Sequence, residues 1–404
     1  MILVEKHQYS KTSKHYKELD KLCFLAKNLY NVSLYHVRQH FFKTGEYLNC
    51  NKLNQLSNDL FKDDYTALPR KVSQQVQKLL DQNFKSFFCH LKVLKTGEKI
   101  SVPKYLDKEK GRQVLTYTSQ ALSHKTRNVP EGYVKLSGLS FLIKTSVEKI
   151  KFARIVPNKN YITVEIGYEK KEVDHIDSGR YASIDIGINN LATITSNIFQ
   201  PFILNGKPIK SINQYYNKRI AELSARNKNR WSNKMYSITR KRNNKISDYM
   251  HKASRFIVNH LVENRVDTLV IGHNNGWKQD TNIGKVNNQK FVQIPFNMLI
   301  HQLTYKCSLV GIKVILQEES YTSKSSFLNQ DKIPIFGEVV SDTEFSGKRI
   351  CRGLYKPKDR KSINADVNGS YNILRKYLIK QEAWNENIFS DCVEVCSTPT
   401  VYNC

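Results

Sequence analysis

The 404-residue sequence is 40% hydrophobic and carries 22 tyrosines, which excludes a disordered chain and leaves room for two or three domains. Lys and Arg total 64 against 36 Asp and Glu, a net charge of +28 that repels itself in a compact chain unless a polyanion is the usual partner. No run is apolar for long enough to span a bilayer and Met1-Ile2-Leu3-Val4-Glu5-Lys6 is no signal peptide, so a cytoplasmic protein with no membrane partner is expected.

A short apolar strand occupies residues 1–12. Residues 13–95 then read as helical, with Leu22, Leu25, Ala26, Leu29 and Tyr30, and later Val72, Val76, Leu79, Leu80, Phe84, Phe87 and Phe88, at helical spacing. The helical domain is bounded at 13–98. From Ile100 to Tyr168 the texture changes to short alternating runs such as Tyr161-Ile162-Thr163-Val164-Glu165-Ile166. A polar linker at Asp174–Gly179 closes a β-rich domain at 99–180.

The remainder, 181–404, opens with an alternating strand to Ile188, a turn at Asn189-Asn190 and a returning strand to Thr195. Phe202–Leu204 reads as a third strand, and 210–265 as one long basic helical pattern. Asp267–Ile271 and Ile312–Leu316 are short buried strands, Phe296–Val310 is an amphipathic helix, and Asp366 opens a last helix through Lys380. A hairpin sheet followed by alternating helices and strands is an α/β layer arrangement whose order matches a ribonuclease H-like domain.

Three acids in this part carry candidate chemistry. Asp185 shares strand parity with Ser183 and Gly187, and a central-strand carboxylate needs a metal or a basic partner; the plain alternative is a strand-end cap. Asp366 lies where a helix dipole favours an anion, with Asn364, Asn368 and Asn372 around it; there the alternative is an ordinary N-cap. Glu318-Glu319 ends a strand, so only one of the pair can face a shared pocket. Acids from distant segments in this pattern suit a pair of Mg²⁺ ions for phosphodiester cleavage.

Between Lys207 and Arg255 stand fourteen Lys or Arg, opposed only by Glu222 and Asp248 and interleaved with Tyr215, Tyr216, Trp231, Tyr236 and Tyr249. That mixture suits phosphate contact with base or ribose stacking. Lys218, Arg219, Arg226, Arg230, Arg240, Lys241, Arg242 and Lys252 are the candidate nucleic-acid contacts there. Lys324, Arg349 and Arg352 are the candidates nearer the C-terminus. The eight cysteines contain no C-x-x-C pair and read as reduced thiols; Cys392 and Cys396 are spaced to meet on a helical turn.

Five blocks together resemble the TnpB (OrfB) family of insertion-sequence proteins, relatives of type V CRISPR effectors. They are SIDIGINNLATITS, HKAS (His251–Ser254), GWKQ (Gly276–Gln279), YTSKSSF (Tyr321–Phe327) and NADVNGSYNIL, and the likeness extends to NLYNVSLYHVRQHFF (Asn28–Phe42). The resemblance implies a RuvC-like nuclease domain preceded by a helical recognition domain and a β-rich wedge. It further implies a guide RNA from the element's own end and cleavage of matching double-stranded DNA beside a short motif. Asp185 corresponds to the first RuvC acid and Asp366 to the third.

Two departures stand out. The place of the second acid reads Gly272-His273-Asn274-Asn275, so the expected substitute is Glu319 or Glu318, with Glu319 favoured. The family's zinc-ribbon cysteines, in an insertion at about 321–362, are replaced by Ser326, Asn329, Gly347 and Ile350, so no zinc is expected. The expected function is therefore an RNA-guided, Mg²⁺-dependent DNA endonuclease. The alternatives are a catalytically inactive RNA-guided DNA-binding regulator and, fitting less well, a transposase that joins strands itself.

Overall fold

The computed structural model describes residues 1–95, 98–274, 284–338, 345–351, 353–389 and 399–404. The GWKQ segment, Arg352, Cys392 and Cys396 lie outside the described residues. The chain divides into two units, Met1–Lys170 and Lys171–Cys404.

In the first unit, β1 (Ile2–Ser10) leads to α1 (Tyr16–Thr44), which stops where Gly45 turns left-handed at φ 74°. Next come α2 (Cys50–Leu60), whose N-cap Asn49 accepts from the backbone of Asn51 and Lys52, α3 (Lys62–Thr66) and α4 (Arg70–Lys92). The strands β2 (Leu115–Thr118), β3 (Leu122–Thr126), β4 (Val129–Leu136), β5 (Ile143–Lys144), β6 (Ile150–Pro157) and β7 (Tyr161–Glu169) complete it. They form two sheets, β1-β7-β6-β2 and β3-β4-β5, with β1 antiparallel to β7 along its whole length. The apolar stripes of α1 and α4 do not make a core of their own. Leu19, Leu29, Val72, Val76 and Leu80 share one cluster with Leu115, Tyr117, Ile155 and Val164 of the first sheet.

The second unit carries β8 (Tyr181–Ile186), β9 (Asn190–Ser196) and β10 (Phe202–Asn205) as an antiparallel meander. The expected single basic helix is two, α5 (Lys207–Arg226) and α6 (Asn233–Glu263). Turn chemistry breaks it: Lys228 and Asn229 adopt φ of 46° and 61°, and the Ser232 side chain caps α6 by accepting from Met235 N.

The chain continues through β11 (Thr268–Gly272), α7 (Lys285–Gln293), α8 (Phe296–Ser308) and β12 (Lys313–Gln317). A small antiparallel sheet of β13 (Lys348–Cys351), β14 (Leu354–Lys356) and β15 (Ile363–Asn364) precedes α9 (Ala365–Lys380), and β16 (Thr400–Tyr402) closes the chain. The main sheet runs β12-β11-β8-β9-β10-β16, with β11 parallel to both β8 and β12.

Strand parity sorts the two faces. Ala182, Ile184, Ile186, Leu269 and Ile271 join the core beneath α6 and α8, whereas Val270 packs with Ile373 and Leu374 of α9. Ser183, on the α9 face with Asp185, donates through Oγ to Ser370 O at 2.7 Å. No helix among the described residues is long and apolar enough to cross a membrane.

Candidate active site

Three carboxylates meet where the C-terminal ends of β8 and β11 face the first turns of α9. Asp185 is on β8 itself, opposite Thr193 of β9. Two glycines make the room. A Cβ on Gly369, one turn along α9 from Asp366, would lie 3.0 Å from Asp185 Oδ2. A Cβ on Gly272, the last residue of β11, would lie 2.6 Å from Glu319 Oε2 and 2.5 Å from Ile373 Cδ1. The Glu319 carboxylate therefore fills the space beside the residue that stands where the second acid was expected. Its backbone is pinned there: Glu319 N donates to Asn274 Oδ1 at 3.1 Å, and Thr322 Oγ1 donates to Glu319 O at 2.8 Å.

Glu318 is committed elsewhere. It accepts from Lys376 Nζ of α9, a side chain only 11% exposed, and from Ser320 N. Burial opposes its ionisation, but those hydrogen bonds prevail and hold its pKa below the ordinary value. Glu319 has no such compensation. Burial, then the Glu318 charge, raise it to about 7. Asp185 is pushed well above the usual carboxylate range by burial, then by Glu319 and Asp366, with Arg349 acting in the opposite sense.

Asp366 lies in the first turn of α9, but it is not the cap. Asn364 is, accepting from Asp366 N at 2.9 Å and Val367 N at 3.2 Å. The Asp366 carboxylate instead accepts from Asn190 Nδ2 at 2.7 Å and from Arg349 Nη2 at 3.0 Å. The expected ring of amides around it does not form. Asn368 bonds Phe327 N and Ser325 O, and Asn372 bonds Thr322 O and Ser325 O, so both fasten the 322–327 segment to α9.

Carboxylates that disfavour one another's ionisation at a buried position are of the donor type a hard divalent cation takes. Among the described residues, no three His, Cys, Asp or Glu side chains yet close into a metal-ligating group. Asp366, paired with a guanidinium, is the acid that would have to turn.

The basic candidates separate by environment. Lys218, Arg226, Arg230, Lys241 and Lys252 are exposed along α5, the intervening turn and α6, and Arg240 is half-buried. Trp231, half exposed, lies against Tyr236 with ring centroids 5.2 Å apart. Arg219 pairs with Glu222, and Lys252 with Asp248. Arg242 is set apart by its partners: its guanidinium donates to Asn213 Oδ1 and Gln293 O and lies over Tyr216, which ties α5 to α6. Lys324 is exposed, with Nζ 5.9 Å from the Phe345 ring, and Arg349 stands on the exposed strand β13.

The segment that lacks the zinc-ribbon cysteines is closed by oxygen and nitrogen. Ser326 Oγ donates to Asn329 Oδ1 at 2.9 Å and accepts from Asn329 N. The buried Asp331 carboxylate accepts from Ser326 N at 2.7 Å and Ser346 N at 3.0 Å, while its carbonyl accepts from Arg375 of α9.

A three-stranded meander, two parallel strands and a helix carrying an acid across the sheet define a RuvC-type ribonuclease H-like α/β fold. Cas12f1 in its sgRNA–target DNA complex shares that fold, with a TM-score of 0.50 at 13% identity over 88% of this chain and 81% of its own. Residues 162–278, which include Asp185, match the family described as OrfB_IS605, a probable transposase. Residues 296–373, which include Glu319 and Asp366, match the Cas12f1-like TNB domain. A curated relative, TnpB-like protein ORF457 of Acidianus two-tailed virus, is 24% identical over 411 residues, spanning 89% of this chain and 83% of its own. These two segment matches and the curated relative make the chain similar to TnpB-family proteins.

Proposed function

We propose that this chain is an RNA-guided, Mg²⁺-dependent DNA endonuclease whose metal ligands are Asp185, Glu319 and Asp366. The observation that carries this reading is the pair of acids, Asp185 and Glu319, whose ionisation burial and neighbouring carboxylates disfavour, each seated against a glycine that has no side chain to exclude it. A group of like charges costs stability unless a cation joins it. When bound, Mg²⁺ supplies Lewis-acid polarisation of the scissile phosphate and a more acidic water.

The protein's own groups do the rest. Asp185 and Glu319 are held in place by strand ends, and Asp366 by a capped helix turn. Arg349, already at the mouth of the site on an exposed strand, has the fork geometry to exchange a carboxylate for a phosphate. The exposed cations of α5 and α6 hold nucleic acid through its backbone. Sequence choice then belongs to pairing between guide and target.

The test is to co-express the chain with its native flanking DNA, purify the ribonucleoprotein and challenge it with a plasmid library of randomised flanks. Guide-matched cuts that need Mg²⁺ and vanish in Asp185→Ala and Asp366→Ala, with RNA binding spared, are expected. The Arg349–Asp366 pair favours one second reading, a guide-directed binder that does not cut. Guide-matched binding without cleavage would establish that reading and refute the nuclease.

A further inference from the structure

Asp366 is gripped at both oxygens, and the two grips differ in kind. Arg349, on one side, comes from the exposed strand β13. Asn190, on the other, comes from the first residue of β9, and the turn that carries it is locked from several directions. A Cβ on Gly187 would lie 2.7 Å from Asn190 O, so the β8–β9 turn closes tightly only because that residue is glycine. Gly206 N donates to Asn189 O at 2.7 Å, and Lys210 Nζ of α5 donates to Asn189 Oδ1 at 2.6 Å. The ladder also shifts register between Leu204 and Asn205 where β10 meets Asn190. Nothing in the β8–β9 pairing requires an amide at 190; its Nδ2 is aimed across the sheet at Asp366 Oδ2, 2.7 Å away.

We propose that Asn190 is a positioning residue for the metal site: it fixes one Asp366 oxygen so that the other is presented to the cation once Arg349 withdraws. This inference rests on the metal-site reading above. An amide suits the task because it donates a hydrogen bond without adding a charge to a group already crowded with carboxylates. A lysine or arginine there would neutralise Asp366 and compete with the metal. An aspartate would repel it.

The test is direct binding of Mn²⁺, used as the paramagnetic stand-in for Mg²⁺, to the purified full-length chain, followed by electron paramagnetic resonance. Wild type, Asp366→Ala, Asn190→Ala and Asn190→Asp are compared, with unfolding midpoints in EDTA as a check on folding. The expected result is a site abolished by D366A and weakened about tenfold or more by N190A, a loss typical of a group supporting a ligand, with the EDTA midpoint of N190A unchanged. N190D keeps the shape and loses the donor, so its affinity must also depart from wild type. Wild-type affinity in both Asn190 variants, with D366A inactive in binding, would overturn the positioning role alone. An unchanged signal in D366A would overturn the metal-site reading and this inference with it.

Discussion

The adjacent glutamates 318 and 319 are expected to respond to the same substitution with opposite sign. In metal-free protein Glu319 titrates near 7 instead of the ordinary 4.5, because burial and the Glu318 charge disfavour its anion. The folded state therefore holds more protons than the unfolded state between those two values. Stability of the metal-free protein falls as pH rises through about 4.5 to 7 and levels off above. Converting the shift gives an upper figure of about 3 kcal/mol at pH 8. Glu319→Gln should remove that penalty: in EDTA the variant is more stable than wild type at pH 8, and the two converge near pH 4.

Glu318 has its pKa held down, so its contribution is present above the ordinary carboxylate pKa and lost on acidification. Glu318→Gln strands Lys376 in an 11% exposed position and should cost about 1–2 kcal/mol at pH 8. Urea unfolding followed by tryptophan fluorescence, in EDTA from pH 4 to pH 8, reads both differences. An E319Q protein less stable than wild type at pH 8 would refute the reasoning.

Gly272→Ala brings a methyl against Glu319 and Ile373, and should cost about 1–3 kcal/mol and depress metal-dependent cutting. Moving the acid, Gly272→Glu with Glu319→Gly, should retain cutting that E319G alone lacks in the plasmid assay; equal inactivity of the two would refute the shared position. Arg226→Ala should lower the salt slope of nucleic-acid binding by about one unit, whereas Arg242→Ala should leave the slope alone and reduce stability by roughly 1–3 kcal/mol. Filter binding across a salt series, beside urea unfolding, separates them. Asp331→Ala should loosen the turn it bridges by about 1–3 kcal/mol, and elemental analysis of the wild type should find no stoichiometric zinc.

Strand parity was legible from sequence because alternation is a local property: Asp185 and Ser183 face α9 as their spacing says. The acid proposed at 319 was legible as one of two, since parity alone cannot say which glutamate finds a lysine. What sets the two glutamates apart is Lys376, fifty-eight residues from Glu318, and no spacing rule reaches that far. Asn190 was visible only as a turn residue, because its partner is 176 residues distant in sequence. The break in the basic helix carried a readable signal in Asn227-Lys228-Asn229, which helical periodicity on either side obscured. Arg242 shows the limit of charge patterning: a run of cations says where phosphate contact is favourable, not which member packing has claimed.

The knot of Ser326, Asn329 and Asp331 changes what this protein asks of its surroundings. A thiolate ribbon ties folding to the supply of a soft metal and to a reducing environment. An oxygen-and-nitrogen knot has neither dependence, and oxidants find no sulfur at its centre. Chelation is then expected to act at the proposed acid site and not at this knot. On the proposed metal-site reading, removing divalent ions would be a reversible switch of chemistry with the architecture left standing, and a chelated complex assembled on its nucleic acid should start on adding metal alone.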